Sequence, residues 1–141
     1  MSLMPRFLLI VDYQPGVIDT PMEKWKPAEI KAHMDYYDAL NAELTASGEL
    51  VGGEALTGPE YAKVVTADGR TAPVVTDGPY AEFKEMLAGF QTVVVDSEDR
   101  ALEIAARVSA VPGPGGVPLQ QPITVRRVMD AGDFDRLMAG E

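Results

Sequence analysis

The chain has 141 residues, 46% of them apolar, a formal net charge of −10 and no cysteine. Such a length suits one domain around one continuous core, and the negative surface repels both polyphosphate and anionic lipid. The absence of thiols excludes disulfide frameworks, thiolate zinc sites and cysteine nucleophiles, and suits a reducing compartment. The expected partners are therefore a small molecule or another protein, with no nucleic acid and no membrane, and the expected location is cytoplasmic.

Met1, Ser2 and Leu3 ahead of Met4 read as residues added in cloning, with Met4 the natural start and no signal peptide following. The apolar run Phe7 to Val11 ends at Asp12, far short of the ~20 apolar residues that a membrane-spanning helix needs. Arg6 to Asp12 is predicted as a first strand buried on both faces, terminated by Tyr13-Gln14-Pro15-Gly16, and residues 17 to 26 as a polar loop. From Pro27, apolar residues at Ile30, Met34, Tyr37, Leu40 and Leu44 recur at helical spacing until Ser47-Gly48 stops the helix. Glu49 to Glu54, Ala62 to Thr66 and Ala72 to Thr76 read as strands of a meander, the last two joined by a turn at Asp68-Gly69.

Phe90 to Val95 is the next β-rich run, and Asp96-Ser97-Glu98-Asp99 supplies caps for a second helix with a buried stripe of Ala101, Leu102, Ala105 and Val108. Proline and glycine make Val111 to Pro118 a loop before a last strand, Ile123 to Val128, and residues 130 to 141 read as a loosely attached tail. This order predicts an α+β fold of ferredoxin-like type, a βαβ repeat forming an antiparallel sheet with two helices on one face. Along 90 to 95, Phe90, Thr92 and Val94 point one way and Gln91, Val93 and Val95 the other, so neither face is polar and the helix-free face calls for a cover.

Thr76 to Phe90, TDGPYAEFKEMLAGF, is the densest motif. The Asp77 carboxylate is placed to accept a backbone hydrogen bond, Gly78 permits unusual dihedrals, and Pro79 fixes the exit direction. In an extended segment Glu82 and Lys84 fall on one side, with Glu85 adjoining. Two readings stay open: a turn locked by an ion-pair network, or a ligand or catalytic site. His33, the only histidine, is the one residue of a type that exchanges protons near neutral pH. It shares the helix face of Ile30, Tyr37 and Leu40, as either a packed, hydrogen-bonded side chain or a base at a pocket edge.

The segment from Asp77 resembles the signature of the DGPF-domain proteins, a branch of the YCII-related family, in the order Asp-Gly-Pro-aromatic, Ala-Glu, Lys-Glu, Gly and an aromatic. Tyr80 stands where that pattern has Phe, and Phe83 where it has Thr. The strand Ile-Thr-Val-Arg-Arg-Val aligns Arg126 with the family's arginine, read either as paired with Glu82, Glu85 or another acid or as holding a carboxylate or enolate; the resemblance spans Pro5 to Val128, in a domain of residues 5 to 129. It implies a dimeric α/β barrel, in which two sheets of a homodimer pack face to face, with a small-molecule pocket between sheet and helices or at the sheet interface. It also implies a lyase or isomerase in which Asp77 and His33 share proton transfer, Lys84 or Arg126 stabilises an oxyanion, and Glu82 and Tyr80 line the ligand site. The alternative it implies is a non-catalytic binding or accessory protein linked to an extracytoplasmic-function sigma factor. No metal site is expected, because one histidine and no cysteine leave only hard oxygen ligands without a cation-loop spacing. No cofactor is expected either, since neither a Walker lysine nor a GxGxxG motif opens a helix.

Overall fold

The computed structural model describes residues 4–12, 20–78 and 87–140. Along the chain come β1 (Arg6–Asp12), α1 (Pro27–Ala46), β2 (Leu50–Ala55), β3 (Lys63–Thr66), β4 (Val74–Asp77), β5 (Leu87–Val94), α2 (Glu98–Ser109), β6 (Ile123–Arg127) and α3 (Ala131–Met138). Four strands form a sheet in the order β2-β5-β1-β6, each neighbouring pair antiparallel. β5 lies between β1 and β2, and β1 between β5 and β6, so two split βαβ units interlock as the ferredoxin-like plan requires.

Local chemistry sets the helix ends. Pro27 occupies the first turn of α1, and the Glu29 carboxylate accepts from the Lys26 amide at 2.8 Å. Ser97 caps α2 by accepting from the Arg100 amide at 3.3 Å, with Glu98 and Asp99 in the first turn. The buried face of α1 carries His33, Leu40 and Leu44, flanked by half-buried Tyr36 and Tyr37. Met34, expected on that stripe, is 49% exposed, because it sits about 100° around the helix from His33. On α2 the stripe is Ala101, Ile104, Ala105 and Val108; Leu102 faces outward for the same reason.

Both helices pack on one face of the sheet. Phe7 pairs with Val93 and Leu9 with Val125, and these side chains join Leu40, Leu44, Ala101, Ile104 and Val108 in one core. Polar ties lock the helices to that layer: Gln91 donates to Asn41 at 2.6 Å, Arg100 donates to both oxygens of Glu49 at 2.7 and 3.0 Å, and the Tyr36 hydroxyl donates to the Arg107 carbonyl at 2.6 Å. The Arg100 guanidinium holds the Glu49 carboxyl at about 2, below the ordinary carboxylate range.

The sequence reading needs three corrections here. β1 is not buried on both faces: Phe7 and Leu9 are enclosed, whereas Leu8 and Ile10 on the reverse are only half-buried. The meander divides, with β2 joining the main sheet while β3 and β4 form their own two-stranded sheet. Gly58 and Pro59 lead into a 3-10 turn at Pro59–Tyr61 that redirects the chain, and Pro59 has no amide to extend a ladder. Residues 131 to 138 of the expected tail form a helix. Asp130 accepts from the Asp133 amide at 3.0 Å and Asp133 from the Asp130 amide at 2.8 Å, a capping box. Arg127 clamps Asp133 with two bonds of 2.7 Å, fastening α3 to the end of β6. No helix among the described residues is long and apolar enough to cross a membrane.

Candidate functional site

Asp77 ends β4, directly across the ladder from Lys63 at the start of β3. Cross-strand partners of opposite charge face each other in such a register, and the two form an ion pair on the surface, the Asp77 side chain being 84% exposed. The carboxylate thus takes a lysine ammonium rather than the expected backbone amide. Gly78 also differs from expectation, for its φ is not positive. Its amide donates to the Ala62 carbonyl at 3.0 Å, and an added Cβ would come within 3.0 Å of a Val64 methyl, so glycine here allows the chain to pass close to β3.

His33 lies in a different setting, buried on α1. Its Nδ1 donates to the Pro112 carbonyl at 2.9 Å, and its ring meets Trp25 and Tyr37 edge-on at centroid distances of 5.3 and 5.2 Å. Trp25, Val111 and Leu119 form a second small core beside it, and Gly113 admits Leu119, whose methyl would lie 2.5 Å from an added Cβ. Burial raises the Tyr37 hydroxyl above its ordinary range. His33 and Asp77 share no hydrogen bond or ion pair: one is held by a backbone carbonyl, the other by Lys63. Tyr80, Glu82 and Lys84 lie outside the described residues.

Arg126 stands on β6 opposite Leu8, on the face of the sheet that α1 and α2 leave uncovered. The same face presents Ile10 beside Phe90, Leu8 beside Thr92, and Arg6 beside Val94. Leu8, Ile10, Phe90 and Val94 are half-buried, and none belongs to the helix-side core. Arg126 has no ion-pair partner among the described residues, in contrast to its neighbour Arg127. The face therefore combines a row of apolar side chains with a cation that no described carboxylate holds, suited to binding an oxyanion.

Sequence reasoning singled out Arg126 but missed Arg6, and missed Lys63 as the partner of Asp77. Alternation along Arg6 to Asp12 carries the signal for Arg6, since it shares parity with Leu8 and Ile10. For Lys63 the turn signal misleads: a two-residue turn at Asp68-Gly69 would pair Lys63 with Val74, whereas the connection spans residues 67 to 73 and pairs it with Asp77. Among the described residues no cluster of histidine, aspartate and glutamate gathers three side chains fit to hold a metal ion.

A family model described as the YCII-related domain matches residues 6–117. The match takes in most of the chain, which belongs to that family. No curated protein matches the chain.

Proposed function

From membership of the YCII-related family as its premise, we propose that this chain works as a homodimer whose copies pack through their helix-free sheet faces, enclosing a site where a small molecule binds. The observation that carries this reading is the row Leu8, Ile10, Phe90 and Val94, apolar side chains on a face that no described helix covers. Apolar surface is removed from water at about 25 cal/mol per Å², and a second copy of the same face supplies a self-complementary cover about a two-fold axis. The motif's likeness to the DGPF branch supports the same arrangement.

Binding without turnover fits the geometry better than a lyase or isomerase. Proton transfer shared by His33 and Asp77 needs the two within hydrogen-bond reach of one substrate, yet each is engaged by a separate partner in a separate part of the fold. A binding role also accommodates the accessory, sigma-factor-linked function that the DGPF likeness implies. Placing a charge in the middle of the face tests the dimer: Ile10→Asp should convert a dimer into folded monomers, with helix content retained. An Ile10→Asp protein that keeps the wild-type mass would contradict packing through this face.

A further inference from the structure

Four of the arginines hold carboxylates: Arg100 with Glu49, Arg107 with Glu43, and Arg127 and Arg136 with Asp133. Arg6 and Arg126 hold none among the described residues, although the chain carries a formal net charge of −10. Both stand on the helix-free face. Arg126 lies across from Leu8, and Arg6 precedes Leu8 by two residues, so the pair are diagonal neighbours about 7–8 Å apart, within reach of each other's long side chains. Like charges so placed repel unless an anion sits between them.

What surrounds the two cations narrows the class of anion. Ile10 and Phe90 pair side by side beyond Leu8, giving a short apolar strip that runs away from the arginines, flanked by Thr124 across from Ile10 and by Glu54 across from Phe90. Gly52 lies across from Thr92 without a side chain, and a Cβ added there would meet nothing within 4 Å, so the described residues leave room beside Thr92. The backbone amides of a central strand are used in its ladders, and they cannot supply the amide cradle that phosphate favours. Two guanidinium groups at one end of an apolar strip match a carboxylate that carries a hydrophobic body.

We propose that this face binds a small aromatic or aliphatic carboxylate, its body on Leu8, Ile10 and Phe90 and its oxygens shared by Arg6 and Arg126. The inference deepens the binding reading above and rests on it, since a second copy would close the site from water. Calorimetric titration of the full-length protein with benzoate, benzamide and inorganic phosphate tests it, with the mass of each sample measured in parallel. Benzoate should bind, benzamide and phosphate at least tenfold more weakly, and Arg6→Ala and Arg126→Ala should each weaken benzoate at least tenfold at unchanged mass. The control Arg70→Ala, on the β3–β4 turn, should bind as wild type. A dimer that ignores benzoate, or takes benzamide or phosphate equally well, would overturn the inference while leaving the dimer intact. So would arginine variants that bind normally, or that fall apart into monomers, because the arginines would then serve the subunit contact. A monomeric wild type that binds benzoate through both arginines would uphold the inference and overturn only the dimer; one that does not bind would overturn both.

Discussion

The Nδ1 of His33 reaches across from α1 to the carbonyl of Pro112, 79 residues away in sequence, and closes a 2.9 Å hydrogen bond. That bond ties the proline- and glycine-rich segment after α2 to α1, beside the Gly115 amide's 2.6 Å bond to the Glu29 carboxylate and the bridge of Pro112 with Pro118. His33→Phe keeps a ring against Trp25 and Tyr37 but leaves the carbonyl without its donor. The expected cost is about 1–3 kcal/mol of unfolding free energy, measured by urea denaturation. Unchanged stability would mean that the bond is not structural and would return His33 to the candidates for chemistry.

Glu49 and Arg100 give the fold a pH dependence. The arginine lowers the carboxyl to about 2 in the folded chain, whereas an unfolded glutamate titrates at about 4.3. A depressed folded value means that the stabilisation is fully present above the unfolded value and fades as pH falls from about 4.5 toward 2. Thermal midpoints of wild type and Glu49→Gln, followed across that window, should differ most at its upper end and converge at its lower end. Parallel curves would show that this pair is not the linked group.

Leu44 is fully enclosed in the main core at 0% exposure. Truncating it to alanine removes buried methyl groups and leaves a void between α1 and the sheet, so Leu44→Ala should lose about 3–5 kcal/mol in chemical denaturation. Met34→Ala, on the outward side of the same helix, is the matched control and should move the midpoint little. Equal losses at both positions would contradict the assignment of the helix face.

For Asp77 the expectation is a small effect. Its ion pair with Lys63 is open to solvent on both sides, and such pairs often contribute nothing measurable. Asp77→Asn should therefore keep the thermal midpoint and the affinity for benzoate. A folded Asp77→Asn protein that no longer binds would place the aspartate in the ligand site and revive proton transfer as the function.

Much of the fold is legible in the residues, because the periodicities are strong. Leu40 and Leu44 lie where helical spacing puts them, Ala101, Ala105 and Val108 do so on the second helix, and Ser97 caps the helix it precedes. The misses share a physical cause, which is that local signals do not reveal tertiary partners. Nothing near Val74 says that its hairpin stands apart from the sheet. The helix at Ala131–Met138 has a readable capping box in Asp130 and Asp133, but its attachment depends on Arg127 across the turn. The site is less legible than the fold. His33 looks the same in sequence whether it meets a substrate or the Pro112 carbonyl, and Arg6 joins Arg126 as a candidate only once Leu8 is known to share a face with both.

The central claim is that a second copy covers the face formed by Leu8, Ile10 and Phe90. Sedimentation equilibrium of the wild-type protein at low micromolar concentration tests it most directly. The account predicts a particle containing two of the 15.2 kDa chains, and a single species of one chain's mass throughout the concentration range would contradict it.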